Sequence, residues 1–305
     1  GAMNLTLNDT TALEDLVTTV DASAMTGKLT VQGTTGDVNM TITGGSGADT
    51  FDMVDEYEIT DVLDGGAGAD TVTADDADFS AVTAALTDTT FKNIETVHSD
   101  TLVKAAINLT LFNGATTLKM FGADGAANDR FTFADDNTWH LTADIANGAA
   151  GAAVNAYIAG TGTDDTLTLK VDAGVDNLES DNGLIFNGIE NLVIATATTA
   201  GTLNDFTGVF QLAPTAGGAS NITITGANPV TFTGAITAGV VDGSAMTGAL
   251  IVNAAMANAA TVKGGSKADT LKGSTSADVL NGGAGNDALF GDGGNDVIYL
   301  GAGQD

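Results

Sequence analysis

The chain has 305 residues, with 39 acidic side chains against 9 basic ones, a formal net charge of −30, 40 glycines and no cysteine. Such a polyanion repels phosphate backbones, which argues against nucleic-acid binding. The missing cysteines exclude a disulfide framework, a zinc–thiolate site and a thiol nucleophile.

The acidity is lopsided, since only Glu14, Glu56, Glu58, Glu95, Glu179 and Glu190 are glutamates. Aspartate and glycine favour turns, because Asp bonds its own backbone and Gly permits positive φ. With 43% apolar residues the chain is too hydrophobic for a disordered acidic tail. No apolar run approaches the roughly 18–20 residues that span a bilayer.

In chain order, Gly1-Ala2-Met3 reads as a cleavage and cloning scar, with no signal peptide after it. A two-turn helix is predicted over Thr11–Val17, followed by strands Leu29–Val31 and Val38–Thr43. Ala77–Leu86 is the second helix candidate. Later strands are Leu109–Leu111, Thr166–Val171, Leu192–Ala195, Asn221–Thr225, Val230–Thr233 and Leu250–Asn253. Short strands between glycine turns predict an all-β chain, a parallel β-roll or β-solenoid combined with repeated β-rich modules, or else stacked β-sandwiches.

Repeats sharpen this reading. From Gly264 the chain has a period of nine, with units starting at 264, 273, 282, 291 and 300. Asp recurs without a slip at 269, 278, 287, 296 and 305, and two places later stands Leu271, Leu280, Leu289 or Ile298. A flexible Gly/Asp linker needs neither a strict period nor that apolar residue. Each unit reads as a tight turn followed by a short strand, with the apolar residue pointing inward. Glycines at 264, 265, 282, 283, 285, 291 and 293 let the turn backbone aim carbonyl oxygens inward. Calcium takes about 6–8 oxygen ligands, more than one turn can give, so turns one coil apart must share an ion. Successive turns lie on opposite sides of the roll. The partners are therefore Asp269 with Asp287, Asp278 with Asp296, and Asp287 with Asp305. Lys267, Ser274 and Ser276 depart from the glycine pattern and weaken the sites expected at their turns.

The same nonapeptide stands at 44–52 and 65–73, bringing in Gly44, Gly45, Gly47, Asp49, Gly65, Gly66, Gly68 and Asp70 as ligand-turn residues, with Asp52 and Asp64 as further ligands. Asp61–Asp64 fits the end of a degenerate unit between them, so that Asp49 faces Asp70. Longer repeats frame these turns. The segment Phe91-x-x-Ile94-Glu95 recurs further on as Phe186-x-x-Ile189-Glu190, after the weakened turn 160–165. Phe112 to Leu118 recurs as Phe206 to Leu212. VDASAMTGKLTV (20–31) and VDGSAMTGALIV (241–252) share 9 of 12 positions, each about a dozen residues before a glycine turn. These motifs divide the chain into modules 4–122 and 123–226, the start of a third at 227–263, and a truncated roll at 264–305. Glu95 and Glu190 cap, pair or bind metal.

Residues 264–305 carry the G-G-x-G-x-D-x-U-x pattern of RTX proteins, and the chain resembles an RTX-type calcium-binding secreted protein. The D-x-S-A-M-T-G and F-x-x-I-E segments make it most similar to a piece of a Gram-negative bacterial S-layer protein. That resemblance implies several Ca²⁺ ions, type I secretion to the cell surface and folding triggered by extracellular calcium. It also implies self-assembly into a calcium-dependent two-dimensional lattice, with cell-surface polysaccharide contacted by regions outside these residues. The alternative is a calcium-stiffened adhesin module that binds glycans or surfaces. Its candidate face, the Thr-x-Thr pairs at 41/43, 71/73, 223/225 and 231/233, lacks a regular spacing.

No enzymatic activity is expected. His98 and His140 sit in no H-E-x-x-H motif, no G-x-S-x-G elbow occurs, and Trp139-His140 reads as a structural pair.

Overall fold

The computed structural model describes residues 4–8, 18–32, 39–53, 57–101, 103, 105–121, 130–145, 154–175, 178, 183–199, 201, 204–215, 218–253 and 256–305. The chain forms two compact units, 1–121 and 122–305. Each is a parallel β-roll, in which short strands stack coil upon coil with their ladders in register.

In the first unit, one sheet runs Leu5–Asn8, Leu29–Gln32, Thr50–Asp52, Thr71–Ala74, Thr96–Ser99 and Thr117–Met120. The opposing sheet stacks Thr19–Asp21, Thr41–Thr43, Val62–Asp64 and Phe91–Lys92. Alternation along each strand puts Leu29, Val31, Phe51, Val72, Val97 and Leu118 inside, all almost fully buried. The outward positions of the longer sheet align as a ladder: Thr6, Thr30, Thr50, Thr71, Thr96 and Thr117 pair step by step. The Thr-x-Thr pairs are irregular in sequence, but this single row is regular in space. β-Branched residues suit such a pleated outer face. By contrast Thr231, counted among those pairs, is buried.

The second unit stacks eight strands in one sheet, from Asn137–Leu141 through Thr166–Val171, Asn191–Thr196, Asn221–Gly226, Val240–Met246, Thr261–Lys263 and Val279–Asn281 to Val297–Tyr299. Its other faces carry Val154–Ile158, Leu184–Asn187 and Phe210–Ala213, and then Asn204–Phe206, Val230–Phe232, Leu250–Val252, Thr270–Lys272 and Ala288–Phe290. The coils taper, and the register shows it. Long steps lead from Thr166 to its partner Asn191 and from Asn191 to Asn221. Shorter ones follow from Asn221 to Val240 and on to Thr261, and the nonapeptide steps to Val279 and Val297 are shorter still.

Wide coils enclose an aromatic core. Trp139 is 1% exposed against Phe131, Phe133 and Phe186, and Phe206, Phe210 and Phe232 continue the stack. The narrow coils hold little apolar filling. Leu271 and Leu280 are fully buried, Leu289 is half-buried, and Ile298 is 42% exposed on the last coil.

The sandwich alternative is ruled out by the ladders, since the strand pairings among the described residues run parallel. Three local expectations change. Leu109–Leu111 is a 3₁₀ turn, because Asn108 caps it by accepting the Thr110 amide and Phe112 closes back onto Leu109. The helix expected over Ala77–Leu86 is the six-residue Asp76–Ala81, capped by Asp75; it ends at Val82, whose backbone is extended. Val38–Thr43 is strand only at Thr41–Thr43, with Val38 outside the described residues. The predicted helix Thr11–Val17 lies wholly outside them.

Candidate calcium turns

The predicted aspartate partners are brought together. The Asp49 amide donates to Asp70 Oδ1 at 2.7 Å, Asp269 to Asp287 Oδ1 at 2.9 Å, Asp278 to Asp296 Oδ1 at 3.0 Å, and Asp287 to Asp305 Oδ1 at 2.9 Å. Asp49, Asp70, Asp269 and Asp278 are at most 2% exposed and Asp287 is 6% exposed. Asp296 is half-buried and Asp305 exposed on the last coil. Strand alternation explains the spacing: Thr270 pairs with Ala288 in one sheet, Val279 with Val297 in the other.

Two kinds of turn occur, and in each stack the first kind precedes the second. In the first, the second residue of the turn donates its amide to the aspartate's other oxygen. Gly45 reaches Asp49 Oδ2 at 2.7 Å, Gly265 reaches Asp269 Oδ2 at 2.7 Å, and Ser274 reaches Asp278 Oδ2 at 2.6 Å. Asp49 and Asp269 Oδ1 meanwhile accept the Leu29 and Leu250 amides of the preceding coil. None of these turn residues has positive φ, which is why Lys267, Ser274 and Ser276 fit where glycine was expected.

In the second kind, glycine takes positive φ: Gly66 at +88° and Gly68 at +143°, Gly283 at +90° and Gly285 at +144°. This conformation turns the second amide away, so Gly66 bonds Asp64 and Gly283 bonds Asn281 instead. Asp70 Oδ2 and Asp287 Oδ2 are then buried without a hydrogen-bond partner. A buried, unpartnered carboxylate oxygen is costly and is what a hard cation would satisfy. Space for a side chain is absent around these oxygens. A methyl group on Gly65 would lie 2.6 Å from Asp70 Oδ2 and closer still to the Asn93 carbonyl oxygen. One on Gly282 would lie 2.5 Å from Asp287 Oδ2 and press on the Leu300 carbonyl oxygen. Carbonyl oxygens of Gly44, Gly47, Gly264 and Gly291 face neighbouring turns in the same way. Gly293 is different, with ordinary contacts of 3.6 Å to Thr275, and contributes backbone alone.

Among the described residues no three acidic or histidine side chains converge as a metal cluster. Each stacked pair offers two carboxylates, so backbone carbonyls and solvent must complete a calcium shell. That donor set of hard oxygens fits calcium and no softer metal. Asp64 is committed elsewhere: it accepts from Lys92 Nζ at 3.0 Å and Asn93 Nδ2 at 2.8 Å. Although burial opposes it, those donors hold its carboxyl below the ordinary range. Asp52 ends strand Thr50–Asp52 beside Gln32 and Thr73.

Sequence reasoning undervalued three features. Asp61, read only as a degenerate unit's end, is 2% exposed and closes a turn by accepting the Met40 and Glu58 amides. The D-x-S-A-M-T-G segments form the coil on which each first aspartate turn stacks. Asp21 and Asp242 hold the Ser23 and Ser244 amides, and the Met25 and Met246 carbonyls accept Ser46 and Ser266 hydroxyls. Glu95 and Glu190 stand where a next-coil aspartate would, accepting the Asp70 and Asp165 amides at 2.8 and 3.0 Å. The recurrence of each motif was the available signal. Trp139 is a core side chain, and His140 Nε2 lies 2.8 Å from Asp172.

The family model of the RTX calcium-binding nonapeptide repeat, in four copies, matches residues 60–78, 263–298 and 273–305. The turns at 65–70 and from 264 onwards therefore match RTX-type calcium-binding repeats, whose ion is Ca²⁺, while the turn at 44–49 shares their sequence pattern outside the matched residues. Repeats of this class are typical of secreted proteins, and among the described residues no helix is long and apolar enough to cross a membrane. Comparisons with curated proteins and with solved structures gave no match.

Burial pushes the Asp70 carboxyl up to about 6; the Asp49 amide opposes this, and the charges of Asp49, Glu95 and Asp64 add to it. An acid whose folded value exceeds its unfolded value of about 3.9 costs the fold stability as it ionises, here between about pH 4 and 6. In chelator, the melting temperature of the parent relative to Asp70→Asn should fall across that window and level off above it. A constant difference would show that Asp70 ionises as readily folded as unfolded.

Proposed function

We propose that the chain is a non-catalytic structural part of an extracellular, cell-surface protein exported by type I secretion. It folds on calcium and assembles with copies of itself into a calcium-dependent lattice of the S-layer kind. The observation that carries this reading is the stacking of paired aspartate turns in both units, with an unpartnered carboxylate oxygen at Asp70 and Asp287. At low calcium those oxygens and the net charge of −30 disfavour compaction. At extracellular calcium each ion joins two coils, and its binding free energy becomes folding free energy. Acidic turns along the roll edges offer the same ion a way to bridge copies. The test is electron microscopy and sedimentation of the chain with millimolar calcium and with chelator. Sheets or tubes that dissolve on chelation support the lattice; a monomer under both conditions counts against it.

One observation favours the adhesin alternative. The row of six threonines in the first unit is a regular array of hydroxyls and methyls, spaced at about 4.8 Å by strand packing. A calcium-dependent monomer that binds glycans, and loses them on Thr50→Lys or Thr71→Lys, would support that reading.

A further inference from the structure

The degenerate turn 160–165 lies outside the matched repeats and lacks their glycine pattern. Gly183 stands where the partner aspartate of a nonapeptide pair would be. The surroundings of the turn are nonetheless built for a cation. Asp165 is 8% exposed, and its Oδ2 is buried without a hydrogen-bond partner. That carboxylate stands over the backbone of Gly162, where a methyl would lie 2.7 Å from Oδ2 and nearer still to Oδ1. Glu190, fully buried, comes in from the next coil: Oε2 accepts the Asp165 amide at 3.0 Å, and Oε1 accepts the Thr215 amide at 2.6 Å.

Thr215 Oγ1 closes the group, 2.6 Å from Glu190 Oε1 and 2.5 Å from the Gly162 carbonyl oxygen. A hydroxyl has one proton, so it can donate to only one of these two acceptors. The other pair of oxygens faces each other without a proton between them. Gly162 is exposed, which gives an ion a way in. Burial, and then the charges of Asp135, Glu190 and Asp164, raise the Asp165 carboxyl above its ordinary range, as expected where negative charge is crowded without a counter-ion.

We infer that Asp165, Glu190, Thr215 Oγ1 and the Gly162 carbonyl form a further calcium site, in which a glutamate of the next coil replaces the second aspartate of a nonapeptide pair. All donors are hard oxygens, drawn from three successive segments of the roll, and solvent completes the roughly 6–8 ligands that calcium takes. The same Asp-to-Glu bond recurs in the first unit, where the Asp70 amide donates to Glu95 Oε2 at 2.8 Å and Asp70 Oδ2 is likewise unpartnered. The site does not depend on lattice assembly.

The test counts ions bound to the full chain by native mass spectrometry, with equilibrium dialysis against calcium as a check. Asp165→Asn and Thr215→Val should each bind one ion fewer than the parent. Because Asp165 Oδ2 bonds nothing in the protein, Asp165→Asn should melt no lower than the parent in chelator and gain less from calcium. Asp287→Asn, which removes nonapeptide ligands, should lose its own ions while the Asp165 ion remains. Folded Asp165→Asn and Thr215→Val chains that bind as many ions as the parent overturn the site while leaving the repeats intact. A parent chain that binds no calcium overturns both.

Discussion

Chelating calcium is expected to lower the melting temperature of the second unit by roughly 10 °C, and to open residues 264–305 while leaving Trp139 emission unchanged at room temperature. The magnitude follows from linkage. An ion held at ten times its dissociation constant contributes about 1.4 kcal/mol, so the three stacked pairs at 269/287, 278/296 and 287/305 contribute about 4 kcal/mol together. For a unit of this size each kcal/mol moves the midpoint by about 2–4 °C. The location follows from the taper. Trp139 sits among the stacked aromatics that fill the wide coils, whereas the narrow coils have only Leu271 and Leu280 fully buried. Melting curves with calcium and with chelator, together with amide exchange read by residue, check both parts. Identical midpoints and equal protection across the unit would show that the narrow coils stand without calcium.

Gly283→Ala should destabilise the same unit by about 2–5 kcal/mol and cost it calcium, whereas Gly293→Ala should be silent. Gly283 sits at φ +90°, and a methyl there would run into the Gly265 carbonyl oxygen, a backbone atom that cannot swing aside. The left-handed conformation alone costs an alanine about 1–2 kcal/mol, and the contact adds to it. Relief by returning to negative φ would swing the amide back onto the aspartate, as at Gly265, and close Asp287 Oδ2 to an ion. Gly293 has negative or extended φ and nothing nearer than 3.6 Å. Thermal melts and calcium titrations of the two variants separate the effects. Equal behaviour would mean that the turn tolerates a side chain and that positive φ is not what opens the carboxylate.

The roll at 264–305 was legible because a nine-residue period fixes both the turns and the face of each apolar side chain. Pairing between alternate units then followed from geometry, and the amide bonds from Asp269 to Asp287 and from Asp278 to Asp296 join the same partners. Sequence could not tell which turns need glycine. GG at 264 and GG at 282 look alike, but only Gly283 takes positive φ, because that choice depends on which coil lies beneath. Nor could it show Glu190 as a partner of Asp165, since the wide coils have no fixed period and the connecting segments vary in length. Leu109–Leu111 alternates like a strand, and its capping by Asn108 decided otherwise. The repeated motifs that hold Phe186 and Phe206 mark two of the buried rings of the wide coils without showing how those rings pack. The contact of Trp139 with Phe131 depends on coil closure.

The narrowing of the second unit gives its unfolding a direction. A stack whose coils shrink from the Asn191–Asn221 step to the Val279–Val297 step exchanges an oily interior for an ionic one along its own axis. Dilution of calcium therefore acts as a zip pull, undoing the thin end first and stopping where the phenylalanines begin. The concentration of one inorganic ion would set how many rungs are closed at any moment, a graded response written into the stacking of the coils.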